Sequence, residues 1–258
     1  MSLPHPQPAQ PCTCPPPPYP VPHLRDPWLW YPDGNVVLVA QGVAFRVHCG
    51  VLARHSYVFK SWFSSPAIQG SEWLDGVPIV RLRPVDTAHD LQQALLAMYG
   101  LLPLYEPTRL NFSTVAGLRR FALAYGMADL VDATRYLLSP TFPSSLAEWD
   151  DPPARRLSFD LGPHQAIEAY NLAKQADDGH IFAAIYLCAQ LPDAVLRTGT
   201  RRADGTPEAL PDADLQLVQS AQARLRALGA TIMIHDNFPS LFLVGIFAKR
   251  WYYARGDA

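Results

Sequence analysis

Charge is what this sequence has least of. Asp, Glu, Lys and Arg make up 17% of its 258 residues, with a formal net charge of -2 and a pI of about 6.4. A typical soluble domain carries about a quarter. Much of the surface must therefore be uncharged or covered by a partner. With no basic excess to neutralise a phosphate backbone, nucleic acid is not an expected partner. Cysteine is scarce as well. The four, Cys12, Cys14, Cys49 and Cys188, sit in a Pro-rich stretch or in apolar helical contexts. That rules out a disulfide framework and points to a reducing, intracellular compartment, cytoplasm or nucleus. Cys12-Thr13-Cys14 has no second Cys/His pair at ligand spacing, so no metal site is expected.

Long apolar runs are missing. Leu241 to Ala248 is followed by Lys249, Arg250 and three aromatic residues, and it falls well short of the roughly 18 residues that span a bilayer. Asp236 and Pro239 break any long amphipathic helix there, so this atypical apolar segment, 230–258, makes a membrane-associated protein the remote alternative. The chain also lacks a phosphate loop, a nucleophile elbow and a His-Glu-x-x-His pair. No catalytic residue and no cofactor are expected, and an enzyme is the disfavoured class. Asp177, Asp178 and His180 resemble metal ligands by composition, but they flank Gly179 at a turn, where solvated polar side chains are the rule.

Proline, by contrast, is plentiful. Twelve of the 26 lie in residues 1–32, with four in succession at Pro15 to Pro18. Proline fixes φ and donates no hydrogen bond, so residues 1–29 read as a disordered tail unable to join a ladder. The tail lacks the apolar centre of a signal peptide.

The chain is organised around Asp33 to Phe63. Val36 to Ala40 has the length and side chains of a buried strand. Gln41-Gly42 breaks it. Then Val43, Phe45 and Val47 alternate with Ala44, Arg46 and His48, a strand with two unlike faces, and the pair reads as a hairpin. At His48 the period changes from two to three and four: Val51, Leu52, His55, Val58, Phe59, Trp62 and Phe63 recur at helical steps.

A hairpin feeding two short helices with a His at the junction resembles the opening of a BTB/POZ domain. The likeness rests on Asn35 to Val39, Phe45-Arg46-Val47-His48, Val51-Leu52-Ala53, Ser56, and Phe59 with Phe63. Its phrases look closest to BTB proteins of mushroom-forming fungi. The resemblance implies an α/β (α+β) fold over residues 30–139, a small three-stranded sheet covered by helices. The later elements agree with it. Val77 to Leu82 reads as a strand after an Asp75-Gly76 turn. Asp86-Thr87 caps a helix carrying Leu91, Leu95, Met98, Tyr99 and Leu102 on one stripe. Asn111 or Ser113 caps the next, with Val115, Leu118, Ala122 and Tyr125 inward, and Ala128 to Leu138 forms a third. After a Pro-containing connector, helices opening at Pro163, His180 and Pro211 read as a short helical extension, 163–229, separated by a polar loop at 198–209.

The resemblance also implies function: BTB domains oligomerise, with themselves or with other BTB proteins, and recruit partners, among them cullin-3 ubiquitin ligases. Two departures stand out. Where many BTB domains pair an Asp with a basic residue in a charged dimer pocket, this chain has Asn35 and Cys49. Where cullin-3 adaptors carry an apolar-x-Glu motif, it has Gly70-Ser71-Glu72, with no apolar residue in front. A role as a cullin-3 substrate adaptor is therefore the alternative to a general interaction module. His48 reads as a satisfied histidine bonded to backbone, Cys49 as a buried inert thiol. The helical stretch 51–63 has more apolar side chains than one inward stripe takes. Val51, Tyr57, Val58 and Trp62 are accordingly the expected partner interface, with Tyr57 and Trp62 outward.

Overall fold

The computed structural model describes residues 24–64, 72–106, 110–143, 159, 161–176 and 181–235. Its first element corrects the expectation of a disordered tail to residue 29: Leu24–Trp30 is a strand (β1). Proline is tolerated because the pairing is interrupted where it falls. The register shifts between Arg25 and Trp30, and the Asp26 carboxylate in this bulge accepts hydrogen bonds from the amides of Trp28 and Leu29 at 2.9 Å. A bulge releases residues from the ladder, so the missing N–H of Pro27 costs no bond. The second Asp26 oxygen accepts from Gln92 at 2.7 Å, and Leu29 is fully buried. Residues 1–23 lie outside the described residues.

Val36–Ala40 (β2) and Val43–Val47 (β3) form the expected hairpin, with Ala40 opposite Val43. Gln41 and Gly42 both have positive φ, 47° and 80°, as a two-residue turn matched to strand twist requires. Cys49–His55 (α1) and Tyr57–Ser64 (α2) follow. A second hairpin, Trp73–Leu74 (β4) and Val77–Arg81 (β5), turns at Asp75-Gly76. The sheet is thus five-stranded, in the order β1-β3-β2-β5-β4, with β1/β3 and β2/β5 parallel. The expected three strands form its centre; β1 and the two-residue β4 are additions.

The side chains obey the period-two rule. Val36, Leu38, Ala40, Phe45, Val47 and Val80 face the main core; Val37, Val39, Ala44, Val77 and Ile79 form a second buried cluster on the other face, against Trp30 and Leu74. Three helices complete the main core: Ala88–Met98 (α3), Phe112–Ala124 (α4) and Ala128–Leu138 (α5). Thr87 caps α3 by accepting from the amide of Asp90, and Asn111, not Ser113, caps α4 by accepting from Thr114. Leu91, Leu95, Leu118, Ala122 and Tyr125 are all buried as the helical stripes require.

The extension comprises a 3-10 turn at Pro163–Gln165, then Ala166–Ala176 (α6), Ile181–Cys188 (α7), Asp193–Thr198 (α8) and Asp212–His235 (α9). It is not wholly helical. Thr200–Arg201 (β6) and Pro207–Glu208 (β7) pair antiparallel within the expected polar loop. Its core is shared: Phe112, Val115 and Ala116 of α4 and Leu137 and Leu138 of α5 pack with Ile167, Tyr170, Ala173, Cys188 and Val218. Asp177, Asp178, His180 and residues 236–258 fall outside the described residues.

Candidate protein-interaction surface

The strand-to-helix junction is held by side chains from three elements. The His48 amide donates to the Tyr99 hydroxyl at 2.9 Å, and that hydroxyl lies 2.8 Å from His48 Nδ1. The same hydroxyl, while accepting from the amide, can donate its hydrogen bond to Nδ1, and Nε2 lies 3.2 Å from Asp33 Oδ2. Tyr31 stacks on Tyr99 with centroids 4.7 Å apart. His48 is therefore bound by side chains rather than by backbone carbonyls, the one change to its expected role. The Asp33 carboxyl is held below its usual range, first by its hydrogen bond with His48. Asn35 and Cys49 do meet: the Asn35 side-chain carbonyl accepts from the Cys49 amide at 2.8 Å. A neutral amide thus occupies the place of the family's charged pair. Burial pushes the Cys49 thiol up, so the helix start does not activate it.

One residue past the end of α1, the chain needs a second helix start. Ser56 supplies it: its hydroxyl accepts from the amide of Phe59 at 3.1 Å and donates to the Tyr125 carbonyl at 2.5 Å. That ties the α1–α2 corner to the end of α4. Phe59 then stacks on Tyr125 (4.9 Å) and Phe63 (5.8 Å), and Tyr125 stacks on Phe121 (4.3 Å). Trp62 meets Phe59 and Tyr125 edge-on at 5.5 and 5.7 Å. The expected outward position of Trp62 is thus corrected. The aromatic stack under α2 is wide enough to take a broader stripe than the usual one, and Val51, Val58 and Trp62 are half-buried against it.

Tyr57 is different. It is 71% exposed, the one large hydrophobic side chain of these two helices that stands exposed. Its ring lies so close over Gly126 that a Cβ there would overlap it. Gly126 ends α4 with φ +62°, and the amide of Met127 returns to the Ala122 carbonyl at 2.9 Å, closing a left-handed helix stop. Only glycine fits both the backbone angle and the ring. Tyr57 is therefore an exposed aromatic on a fixed seat.

Two further charged groups sit elsewhere, one named from the sequence and one not. Glu72, the acid of the Gly70-Ser71-Glu72 triplet, is held by the Arg81 guanidinium at 2.7, 3.1 and 3.2 Å and is largely buried. Arg120 on α4 joins three helices. It donates twice to Asp90 of α3 at 2.8 Å and once to Glu168 of α6 at 2.6 Å. Burial pushes both carboxyls up. At Asp90 the paired Arg120 bonds and His89 outweigh it and the group sits below its ordinary value; at Glu168, with one Arg120 bond and Glu208 nearby, burial wins. Gly117 of α4 allows the approach, since a Cβ there would meet Asp90 Oδ1 and the His89 ring. His89, Asp90 and Asp204 bring ligand-type atoms within 4.8 Å of one another, but Asp90 is already neutralised by Arg120. The sequence offered no signal for this joint beyond the helical pattern of α4, whose inward stripe of Val115, Leu118, Ala122 and Tyr125 leaves Arg120 on another side.

The site thus combines a mixed sheet, the paired short helices α1 and α2, and the helices α3 to α5 behind them, with Tyr57 exposed on α2. Residues 33–141 match the family model of the BTB/POZ domain, so this part of the chain belongs to that family. The family is one of non-catalytic protein–protein interaction modules. A search of curated proteins finds no match. Among the described residues, no helix is long and apolar enough to cross a membrane.

Proposed function

We propose that this chain is a BTB/POZ interaction adaptor, a module at about residues 30–139, lengthened by β1, followed by the helical extension 163–229. It assembles with protein partners inside the cell, in cytoplasm or nucleus, through the outer face of α1–α2. Homo-oligomers and pairing with other BTB proteins belong to this reading. The observation that carries it is Tyr57, largely exposed yet seated on Gly126. A large amphipathic ring held rigid before binding loses little entropy on contact, which is why tyrosine is common at interface centres. Val51, Val58 and Trp62 form the half-buried floor around it.

The cullin-3 adaptor reading is weaker, because the Glu72 carboxylate is bound to Arg81 within the chain. A nucleic-acid partner finds no support in a net charge of -2. The test is affinity capture from the native cell with wild type and Tyr57→Ala, read by quantitative mass spectrometry. The proposal expects a defined set of proteins lost with Tyr57→Ala while the variant melts at the wild-type temperature. An unchanged set overturns the assignment of the face.

A further inference from the structure

The charge of the α1–α2 face says which partner it fits. From Gly34 to Ser71 the sequence contains no Asp or Glu, yet besides Arg46 on β3 it carries Arg54 and Lys60. Both are exposed. Tyr57, Lys60, Ser61 and Ser64 are spaced i, i+3, i+4 and i+7 on α2 and are all exposed, so they form one outward stripe, with Arg54 in the last turn of α1 just before it. Among the described residues no acidic side chain pairs with Arg54 or Lys60. The nearest turn in contact with the stripe, at Gly126, leads to the exposed Asp129 of α5, which bonds neither of them.

Resting on the interaction-face reading above, we propose that the stripe's occupant is an acidic segment of a partner protein, with an aliphatic side chain seated on the Tyr57 ring and acidic side chains reaching Arg54 and Lys60. A second copy of the same stripe fits less well. A two-fold contact through this stripe would bring the cations of one copy against those of the other with no acid of the stripe between them, and like charges face to face suppress association. A polyanionic nucleic acid fits less well too. Its affinity comes from many phosphate contacts, and this face offers two cations on a chain of net charge -2. An aliphatic group on a tyrosine face, flanked by two screened ion pairs, is the contact that two cations and one rigid ring provide.

The probe is a fluorescein-labelled peptide of alternating Glu and Leu, titrated with the full chain and read by fluorescence anisotropy. Controls are the same peptide with Lys for Glu and a labelled DNA duplex. Binding by wild type is expected, weakening as salt rises, with a loss of at least about tenfold for Arg54→Glu/Lys60→Glu and for Tyr57→Ala. Circular dichroism melts check that the variants fold. No binding at about 1 mM, or binding that ignores the charge reversal, overturns the proposal. So does DNA binding as tight as the peptide's. Sedimentation velocity separates this failure from that of the face itself. A wild-type dimer broken by Tyr57→Ala, with no peptide bound, makes the occupant a second copy and leaves the face standing. If neither peptide binding nor self-association responds to Tyr57→Ala, both readings fall.

Discussion

Replacing Arg120 by Met should cost more stability than any surface change on this protein. The Arg120 guanidinium is bonded to both Asp90 and Glu168, whose residues are only 5% and 2% exposed. Methionine keeps the stem and its packing but removes the charge, so two carboxylates remain in a space with little water. Breaking a buried pair from one side costs about 3–5 kcal/mol, because the stranded charge loses its compensation without regaining hydration. At about 1.4 kcal/mol per decade that lowers the folding constant by two to three and a half orders of magnitude. With an m-value of about 2 kcal/mol/M, urea unfolding followed by circular dichroism at neutral pH should show a midpoint lower by about 1.5–2.5 M. Asp90→Asn/Arg120→Met/Glu168→Gln, which neutralises the whole triad, should recover much of the loss, since an uncharged replacement strands nothing. A midpoint shift under about 0.25 M for Arg120→Met would refute the reasoning and make the joint a solvated one. If instead m falls while the first part of the transition moves, the extension and the BTB unit have lost their cooperativity.

Phe59→Ala should lose about 3–5 kcal/mol by opening a cavity beside Phe63, Phe121 and Tyr125, measured by the same urea melt; a variant as stable as wild type would displace Phe59 from the core. Gly126→Ala should be destabilised by about 1 kcal/mol or more through its positive φ, and should shift the Tyr57 ring resonances in NMR spectra; undisturbed Tyr57 signals would contradict the seat described for it. Glu168 has a folded-state pKa raised above its ordinary 4.5, first by burial, so the native state holds its proton more tightly and stability should fall as pH rises from about 4.5 through the raised value. Glu168→Gln should flatten that fall, whereas the depressed Asp90 acts in the opposite sense and at lower pH, its contribution being lost only on acidification below its ordinary 3.8. An equal slope in urea midpoints of wild type and Glu168→Gln across pH 4–7 would assign the dependence elsewhere.

Much of this fold is legible in the sequence because long periodic segments declare themselves. The β2–β3 hairpin, α5 and the Thr87 cap follow from period, turn chemistry and capping alone. What escaped has physical reasons. β4, β6 and β7 are two residues each, too short to show a period. β1 carries Asp26-Pro27, and whether proline ends a strand or sits in a bulge depends on its neighbour in space. Trp62 seemed outward because helix spacing gives the direction of a side chain but not the width of what lies beneath it; Tyr125 and Phe121, sixty residues away, supply that width. Arg120 went unremarked for the converse reason: its partner Glu168 comes from the extension, forty-eight positions further along the chain. Of the four expected interface residues, the structure sets Tyr57 outward and half-buries Val51, Val58 and Trp62.

The claim that the α1–α2 face is the recognition surface is tested most directly by photo-crosslinking in the native cell. A benzophenone amino acid replaces Tyr57 in one strain and Tyr136, exposed on α5, in another. The account predicts that irradiation joins the chain to a discrete protein from position 57 and leaves position 136 largely unreacted. Equal adducts from both positions, or adducts from 136 alone, would contradict it.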